Sequence, residues 1–448
     1  MTLKLRDYQE ELADFIYEHN RSLILAAPGA GKTGGALTAM SDMLRDKIVT
    51  RWLVVAPKRV AVETWPVEKE KFTPHLVMAI AVGTPKQRLV ALESNAQVVV
   101  INYENLTTIP PHIKFDGVIF DELTKMKNQS GRRFKAIEKY IRQNKIDIRV
   151  GLTGSFTGEG LEDCYAQCKI IDQTILGRSK GAFMQQYFFC INRDFGQYTA
   201  LPGALEQVMV KVKPVAYVLE NKEYLDGLPP LHVVEMRRDF ENREPYEKLK
   251  ADLVYEFPEG TITAATAGVV TSKLQQMASG FVYKTTKLPD PDRPGKFIMD
   301  KQPIWFSDHK FDMLDELIDE LQQANTLIIY NFREELDELQ RRYPDAETLD
   351  APDAVARWNA GKIRRLLGHP ASMQFGLNLQ DGGHVVIFIS TPWSTTNYNQ
   401  AIARLWRQGQ KHPVWAYILM TTKTIDERIF ASHANKQLIA EIAIEELK

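Results

Sequence analysis

Ala26-Ala27-Pro28-Gly29-Ala30-Gly31-Lys32-Thr33 follows the apolar run Leu23-Ile24-Leu25 and precedes a segment of helical character, Ala36 to Leu44. This order predicts a buried strand, a tight turn and a helix whose positive N-terminal end faces the turn. The glycines allow backbone N–H groups to close around phosphate oxygens. The stretch is therefore interpreted as a phosphate-binding loop, and a glycine-rich turn without a ligand is the alternative.

The residues of this loop divide the work of holding a nucleotide. Gly29, Ala30 and Gly31 supply the backbone cradle, while Lys32 reaches the β- and γ-phosphates and Thr33 contributes its hydroxyl to Mg²⁺. The predicted ligands are therefore ATP and Mg²⁺.

The composition restricts the class of protein. The chain has 448 residues, 44% of them hydrophobic and 25% charged, which is typical of a globular protein with more than one domain. No apolar run approaches the roughly 20 residues that span a bilayer, and the N-terminus lacks the layout of a signal peptide. We expect a cytoplasmic protein without a membrane partner.

Charge and cysteine content restrict the ligands. The formal net charge is −1, so any contact with nucleic acid must come from local basic patches such as Lys58-Arg59 or Arg364-Arg365. The three cysteines, Cys164, Cys168 and Cys190, lack zinc-ligand spacing and are interpreted as free, buried thiols in a reducing compartment.

Three continuous apolar runs in the first part of the chain predict strands that are covered on both faces. They are Trp52 to Lys58, Gln97 to Glu104 and Gly117 to Glu122, and segments of helical character lie between them, which favours a parallel sheet. The third run ends in two acids. Asp121 is placed to complete the Mg²⁺ shell and Glu122 to polarise the attacking water, although an acidic pair that caps a helix is the alternative.

Two further places near this sheet are candidates. Thr153 and Ser155 follow a short strand and carry small hydroxyls that can sense the nucleotide site. Gln9, on a helix before the phosphate-binding loop, offers both a donor and an acceptor, which suits the edge of adenine.

The rest of the chain divides into two parts. Helical and irregular segments dominate from about Leu161, and the stretch from Lys284 to Pro303, rich in Pro, Asp and Lys, is predicted to be a connector. Strands are predicted at 326–330, 365–368 and 385–389 and a helix at 399–406, so α/β alternation returns.

The ordered motifs resemble superfamily two helicases, and the second half resembles their Swi/Snf-like family of DNA-translocating ATPases. Residues Gln400 to Gln410 are similar to the family pattern Gln-Ala-x-x-Arg-x-x-Arg-x-Gly-Gln, with Gly376-Leu377-Asn378-Leu379 before them. Asp121-Glu122 with Lys127-Asn128 resembles the family's acidic motif, and Leu152-Thr153-Gly154-Ser155 resembles its Leu-Thr-Gly-Thr. Ala26, at a position where Gly is usual, matches the form of the loop common in helicases.

This resemblance implies two RecA-like lobes, each a parallel sheet flanked by helices, with a helical insertion. The expected domains are a first, ATP-binding lobe over 1–160, a mostly helical insertion and connector over 161–303, and a second lobe over 304–448. Arg404 and Arg407 of the second lobe would close over the nucleotide, with Gln400 in the same motif as a third catalytic candidate. Gln9 would contact adenine.

The chain also departs from the family. Thr124 stands where the family has His, but its hydroxyl can still form a hydrogen bond. Met373-Gln374 replaces a turn of the Gly-Gln or Gly-Gly type, and Trp393-Ser394-Thr395 replaces Trp-Asn-Pro.

The expected function is ATP-driven translocation on duplex DNA, in a minimal enzyme of a bacterial or phage-infected cell. One alternative is a helicase that separates strands or remodels branched DNA or RNA. Another is a nucleotide-regulated binding module, which the joint presence of Lys32, Glu122, Arg404 and Arg407 disfavours. The sequence identifies no protein partner.

Overall fold

The computed structural model describes residues 4–154, 156–158, 160–192, 197–219, 228–263, 267–291, 293, 295–322, 324–374 and 377–447. Ser155 and Gly376, both singled out in the sequence, lie outside the described residues. The chain divides into two compact units, one comprising Met1–Gly227 with Lys436–Lys448 and the other Leu228–Asn435.

The first unit alternates strands and helices. In chain order its elements are α1 (Asp7–Glu18), β1 (Arg21–Leu25), α2 (Lys32–Arg45), β2 (Trp52–Ala56), α3 (Trp65–Phe72), β3 (Met78–Ala81), α4 (Pro85–Glu93), β4 (Val98–Asn102), β5 (Gly117–Asp121), α5 (Arg132–Asn144), β6 (Ile148–Thr153), α6 (Asp163–Ile171), α7 (Lys180–Tyr187), β7 (Phe188–Asn192), β8 (Gln197–Ala200), α8 (Ala204–Val212) and β9 (Ala216–Val218).

Seven of these strands form one parallel sheet in the order β3-β4-β2-β5-β6-β1-β9. All five residues of β2 and all five of β4 are buried, because helices cover both faces of a parallel sheet. The carboxyl ends of β1 and β5, which lead into the phosphate-binding loop and the acidic pair, lie at the same edge.

The second unit has a similar plan. Its elements are β10 (Leu231–Arg238), α9 (Glu244–Asp252), β11 (Val254–Phe257), β12 (Gly260–Thr263), α10 (Ala267–Ala278), β13 (Phe281–Pro289), β14 (Phe297–Trp305), α11 (His309–Leu321), β15 (Thr326–Ile329), α12 (Arg333–Arg342), β16 (Glu347–Thr348), α13 (Ala354–Asn359), β17 (Arg365–Gly368), β18 (Val385–Phe388), α14 (Thr395–Ile402), β19 (Val414–Thr421) and α15 (Ile425–Leu447), whose last residues belong to the first unit.

Six strands form the second parallel sheet, in the order β10-β19-β18-β15-β17-β16. Alternate residues of β15 enter different cores, since Leu327 packs with Trp358 on one face and Ile328 packs with Phe311 on the other. This period of two is what a strand covered on both faces requires. The predicted α/β class, with two parallel sheets flanked by helices, is confirmed.

The range 161–303, predicted to be mostly helical, also contributes strands to both sheets. β9 adds to β1 at the edge of the first sheet, and β10 pairs with β19 at the edge of the second. Neither strand is an apolar run, since β9 has three residues and β10 is only partly buried. The lobe boundaries at 160 and 303 stay predictions.

The connector predicted from Lys284 to Pro303 is wrong. Nine residue pairs, from Phe281 with Trp305 to Pro289 with Phe297, join β13 and β14 in an antiparallel hairpin. The Pro, Asp and Lys residues that suggested a connector include Pro289, Asp300 and Lys301, which lie in the arms of the hairpin. Thr and aromatic residues, which favour strands, also occupy the arms.

Cys164 and Cys168 are buried free thiols, and burial raises their pKa, but Cys190 is partly exposed. Within the described ranges, no helix combines the length and apolar character needed to cross a bilayer.

Candidate nucleotide-binding site

The phosphate-binding loop joins β1 to α2 through two glycines in the left-handed region. Gly29 has φ 87° and Gly31 has φ 73°. A Cβ added at Gly31 would lie 2.2 Å from Nε2 of Gln9, so both its backbone conformation and its surroundings require glycine. The backbone N–H of Ala26 donates to the carbonyl of Thr153 at 3.1 Å, which fixes the start of the loop to the end of β6.

Lys32 is the first residue of α2 and its ammonium lies against the loop that precedes it. Nζ donates to the carbonyls of Ala26 at 2.7 Å and Ala27 at 3.0 Å. Thr33 follows in the first turn of the helix. Helix α2 therefore places the Lys32 ammonium and the Thr33 hydroxyl beside the loop. The two glycines turn the loop backbone toward these groups.

Gln9 connects α1 to the same loop. Its side chain is buried, its Nε2 donates to the carbonyl of Gly31 at 3.0 Å, and its Oε1 accepts from the backbone N–H of Arg6 at 3.0 Å. A glutamine amide has a second N–H and a second lone pair, so these two bonds leave the predicted contact with adenine chemically feasible.

Asp121 ends β5 and receives a hydrogen bond from a tryptophan that follows another strand. The indole Nε1 of Trp65 donates to its Oδ2 at 2.9 Å. Burial raises the pKa of Asp121 to about 6; the Trp65 bond and the positive charge of Lys32 act in the opposite direction, and Glu122 raises the value further. A carboxylate in such a place gains from a nearby cation, because burial removes its hydration.

A π-helical turn over Val60–Thr64 precedes Trp65 and sets its direction. The backbone N–H of Trp65 bonds to the carbonyl of Val60, five residues earlier, and the Trp65 side chain is fully buried. π-helical turns are rare in proteins, and those that do occur often lie at functional sites. Because β2 and β5 are neighbours in the sheet, the turn after β2 brings Trp65 to the end of β5.

Glu122 is held from both its backbone and its side chain. Its φ of 60° and ψ of 60° are in the left-handed region, which costs energy for a residue with a Cβ. The hydroxyl of Tyr103 contacts the carbonyls of Asp121 at 2.8 Å and Glu122 at 3.2 Å, and the Thr124 hydroxyl donates to Oε1 of Glu122 at 2.9 Å. The residue that replaces the family's His thus fixes the direction of the carboxylate.

Sequence reasoning did not find Trp65 or Tyr103 as parts of the site. Trp65 lies after a predicted strand and Tyr103 near the end of another, but no local feature indicates which neighbour the polar atom of either side chain contacts. The order of strands in the sheet supplies that information. Thr124 was noticed only as a departure from the family.

The other predicted residues belong to the second unit. The guanidinium groups of Arg404 and Arg407 both donate to the carbonyl of Leu377, at 3.3 and 3.0 Å, and Arg404 also donates to the carbonyl of Gln400 at 3.2 Å. Gln400 and Arg404 are buried, and Arg407 is partly exposed. Arg404 follows the end of α14 at Ile402 and lies in a turn, whereas the sequence predicted a helix through residue 406.

Two family models match parts of the chain. The model for the res subunit of type III restriction enzymes matches residues 2–157, and the model for the helicase conserved C-terminal domain matches residues 309–409. The first match covers the phosphate-binding loop and the acidic pair, and the second includes the segment with both arginines.

Individual proteins match over nearly the whole chain. Putative protein p41 of Acyrthosiphon pisum secondary endosymbiont phage 1 is 30% identical over all of this chain and 99% of p41. The DNA repair and recombination protein RAD54-like of Gallus gallus is 22% identical, over 99% of this chain and 68% of that protein. An uncharacterized ATP-dependent helicase of Mycoplasma genitalium is 24% identical, and the match spans only 42% of its length.

Solved structures are also similar to the chain. The Sulfolobus solfataricus SWI2/SNF2 ATPase core in complex with dsDNA shares 20% identity and a TM-score of 0.47, over 99% of this chain and 94% of that one.

The phosphate-binding loop, the acidic pair at the same sheet edge and the two family models define a P-loop protein of the helicase class. Within that class, the chain belongs to the Swi/Snf-like family of superfamily two, whose members are helicase-related ATPases. The resemblance stated from the sequence is thereby confirmed.

Proposed function

We propose that this protein hydrolyses ATP to move along duplex DNA. The observation that carries the proposal is the meeting of the phosphate-binding loop with Asp121 and Glu122 at one edge of the first sheet, where Lys32 is close enough to lower the pKa of Asp121. The names of the relatives, one a DNA repair protein and one an ATP-dependent helicase, support nucleic acid as the partner.

The residues present fit a magnesium ion. Asp121 is a partly buried carboxylate whose ionised form gains from a positive neighbour, and Thr33 offers a hydroxyl oxygen, the kind of hard ligand that Mg²⁺ prefers. Among the described residues, no group of three or more His, Cys, Asp or Glu side chains is placed to hold a metal ion. Mg²⁺ is usually bound through one or two carboxylates together with substrate phosphates. When bound, the ion supplies positive charge to the phosphate oxygens.

The protein's own groups then have separate tasks. Lys32 places a point charge on the β- and γ-phosphates, and Glu122 polarises the attacking water. Thr124 directs the Glu122 carboxylate, and Trp65 holds one oxygen of Asp121. Gln9 is assigned to the adenine edge.

Arg404 and Arg407 are proposed to act on the γ-phosphate when nucleic acid is bound, with Gln400 supporting the turn that carries them. An arginine supplied in this way is worth about 10³–10⁵ in rate. Since their guanidinium groups now bond to backbone carbonyls, engagement would exchange those bonds for bonds to phosphate.

Movement along DNA requires contacts that do not depend on the base sequence. Contacts to phosphates have this property, and because the chain is nearly neutral overall, they are confined to local basic patches. Contacts that alternate between the two units as ATP turns over would advance the protein along the backbone in small steps.

The test combines displacement of a third strand from a triplex with ATPase assays on duplex, single-stranded and branched DNA or RNA. We expect ATP-dependent triplex displacement, little unwinding of a blunt duplex, and ATPase stimulation that falls steeply with salt. The control is Lys32→Ala, which should abolish hydrolysis and displacement together. Efficient unwinding of plain duplex without triplex displacement would instead support the strand-separating alternative.

A further inference from the structure

The hairpin of β13 and β14 is fixed to the second unit at its open end. The rings of Phe281 and Trp305 pack at a centroid distance of 5.2 Å, and Phe281 also meets Phe332 edge-on at 5.6 Å. The Tyr283 hydroxyl accepts from the backbone N–H of Glu334, at the start of α12, at 3.1 Å. Aromatic packing and this hydrogen bond therefore hold the base of the hairpin in one orientation.

The distal half carries both cations and large apolar side chains on one face. The register pairs Lys287 with Met299 and Pro289 with Phe297, and Lys301 lies on the same face two residues from Met299. We call these five residues the open face. Phe297 is 55% exposed and Met299 60% exposed, so the surface is offered to solvent although its side chains are apolar.

The charges on the open face are all positive. Lys287 places its Nζ 4.0 Å from the centre of the Phe297 ring, and Lys301 is exposed. Lys273 on α10 adds a third positive charge near the hairpin, since its Nζ donates to the carbonyl of Tyr283. Burial lowers the pKa of Lys273, and the charge of Lys301 lowers it further.

The opposite face is different in both charge and surroundings. It carries Asp300, and Lys284 on that face donates to the carbonyl of Glu259, in the turn between β11 and β12, at 2.8 Å. Ile298 is also exposed there. The two faces thus separate cations with an aromatic ring from a mixed surface that contacts a second hairpin.

We propose that the open face binds an unpaired nucleic-acid strand, with Lys287 and Lys301 at phosphates and Phe297 stacked on a base. Lysines beside an exposed aromatic ring match the chemistry of single strands, whose bases present free π-faces. Bases inside an intact duplex are already stacked, so a duplex would use the lysines and leave the ring without a role. This inference rests on the proposed function and specifies its substrate as DNA in which an unpaired strand adjoins a duplex.

The first experiment measures binding of the full chain to a fluorescent oligothymidylate and to a blunt duplex by anisotropy. Phe297→Ala should weaken single-strand binding at least about fivefold, the loss expected for one base stack, and should leave duplex binding unchanged. The matched control is Ile298→Ala, which truncates an exposed neighbour on the opposite face and should change neither affinity. Thermal unfolding checks that both variants are folded.

The second experiment tests the lysines through salt dependence. The double variant K287E/K301E should reduce the slope of log affinity against log salt for the single strand by about 0.7 for each phosphate that a lysine no longer neutralises. The control K86E/K139E makes the same change in net charge at two exposed positions of the first unit and should preserve that slope.

Distinct results separate this inference from the proposed function. If the wild-type protein binds nucleic acid and Phe297→Ala binds the single strand as tightly, the open face is not a stacking surface and only this inference fails. If Phe297→Ala loses the same affinity for the duplex as for the single strand, the stacking proposal is wrong and the hairpin contacts both forms of DNA in the same way. If the wild type binds no nucleic acid and its ATPase is not stimulated, both proposals fail.

Discussion

Asp121, at the end of β5 in the first unit, and Glu335, in the first turn of α12 in the second, are both carboxylates at or after the end of a strand of a parallel sheet, but their surroundings differ. Glu335 is fully buried and accepts four hydrogen bonds, from the hydroxyls of Ser279 and Ser390 and the backbone N–H groups of Asn331 and Phe332, at 2.7 to 3.1 Å. Asp121 receives the indole bond of Trp65, and its burial still raises its pKa to about 6.

The difference shows what separates a structural carboxylate from one suited to chemistry. Four donors replace the water that Glu335 loses on folding, so its charge is satisfied within the protein. The surroundings of Asp121 compensate its charge less fully, which favours the approach of a cation. The number and kind of hydrogen-bond donors therefore distinguish the two acids.

The sharpest test replaces each carboxylate by its amide. Asp121→Asn should lower ATP hydrolysis by about 10³-fold, the scale of charge stabilisation that a metal ion provides, while the free energy of unfolding stays the same or rises because a buried charge is removed. Glu335→Gln should do the reverse and cost about 1–3 kcal/mol of stability, because an amide cannot accept from all four donors. Hydrolysis rates and denaturant unfolding at neutral pH measure both.

The proposed difference between the two carboxylates would be wrong if both variants changed the free energy of unfolding by the same amount. It would also be wrong if Glu335→Gln reduced hydrolysis as much as Asp121→Asn under conditions in which both proteins are folded. Either result would mean that Glu335 takes part in the chemistry.

A smaller effect is expected at Trp65. Trp65→Phe keeps a ring but removes the N–H donor to Asp121, so kcat should fall about tenfold and the Mg²⁺ concentration for half-maximal activity should rise, as for the loss of one hydrogen bond to a charged group. Affinity for nucleotide without Mg²⁺ should not change.

Trp52→Phe is the matched control for this change. Trp52 is also fully buried in the first unit, and its Nε1 has no hydrogen-bond partner among the described residues. The control therefore repeats the loss of volume without the loss of a bond. Equal effects of the two variants on Mg²⁺ dependence would show that Trp65 acts only by packing.

The smallest effect concerns Thr124. Thr124→Ala removes the donor to Glu122 and should lower kcat about three- to tenfold at unchanged KM, as expected for one hydrogen bond. Thr124→Ser keeps the hydroxyl and should restore the rate. If Ser and Ala variants are equally slow, the methyl group rather than the hydroxyl matters, and the Glu122 carboxylate is directed by other contacts.

The local sequence predicted most of the fold and identified the candidate site residues. It did not predict the side chains, such as Trp65 and Tyr103, that hold those residues in place. Apolar runs such as Trp52–Ala56 and Val98–Asn102 were predicted as strands because burial on both faces leaves no polar position. The β13–β14 hairpin was missed because its arms are largely exposed and polar, so neither an apolar run nor a regular alternation marked it. The roles of all the predicted site residues remain predictions.

By itself, the sequence determined the turn that is predicted to bind phosphate, because glycines at the left-handed positions and a lysine at the first helical position are local requirements of the chain. It also determined the family through the Gln400 to Gln410 segment. Only the tertiary structure decided that Trp65 bonds to Asp121, 56 residues away, and that Lys287, Phe297 and Lys301 share one face. The first depends on the order of strands in a sheet and the second on the register of a hairpin, and hydrogen bonds between distant segments fix both.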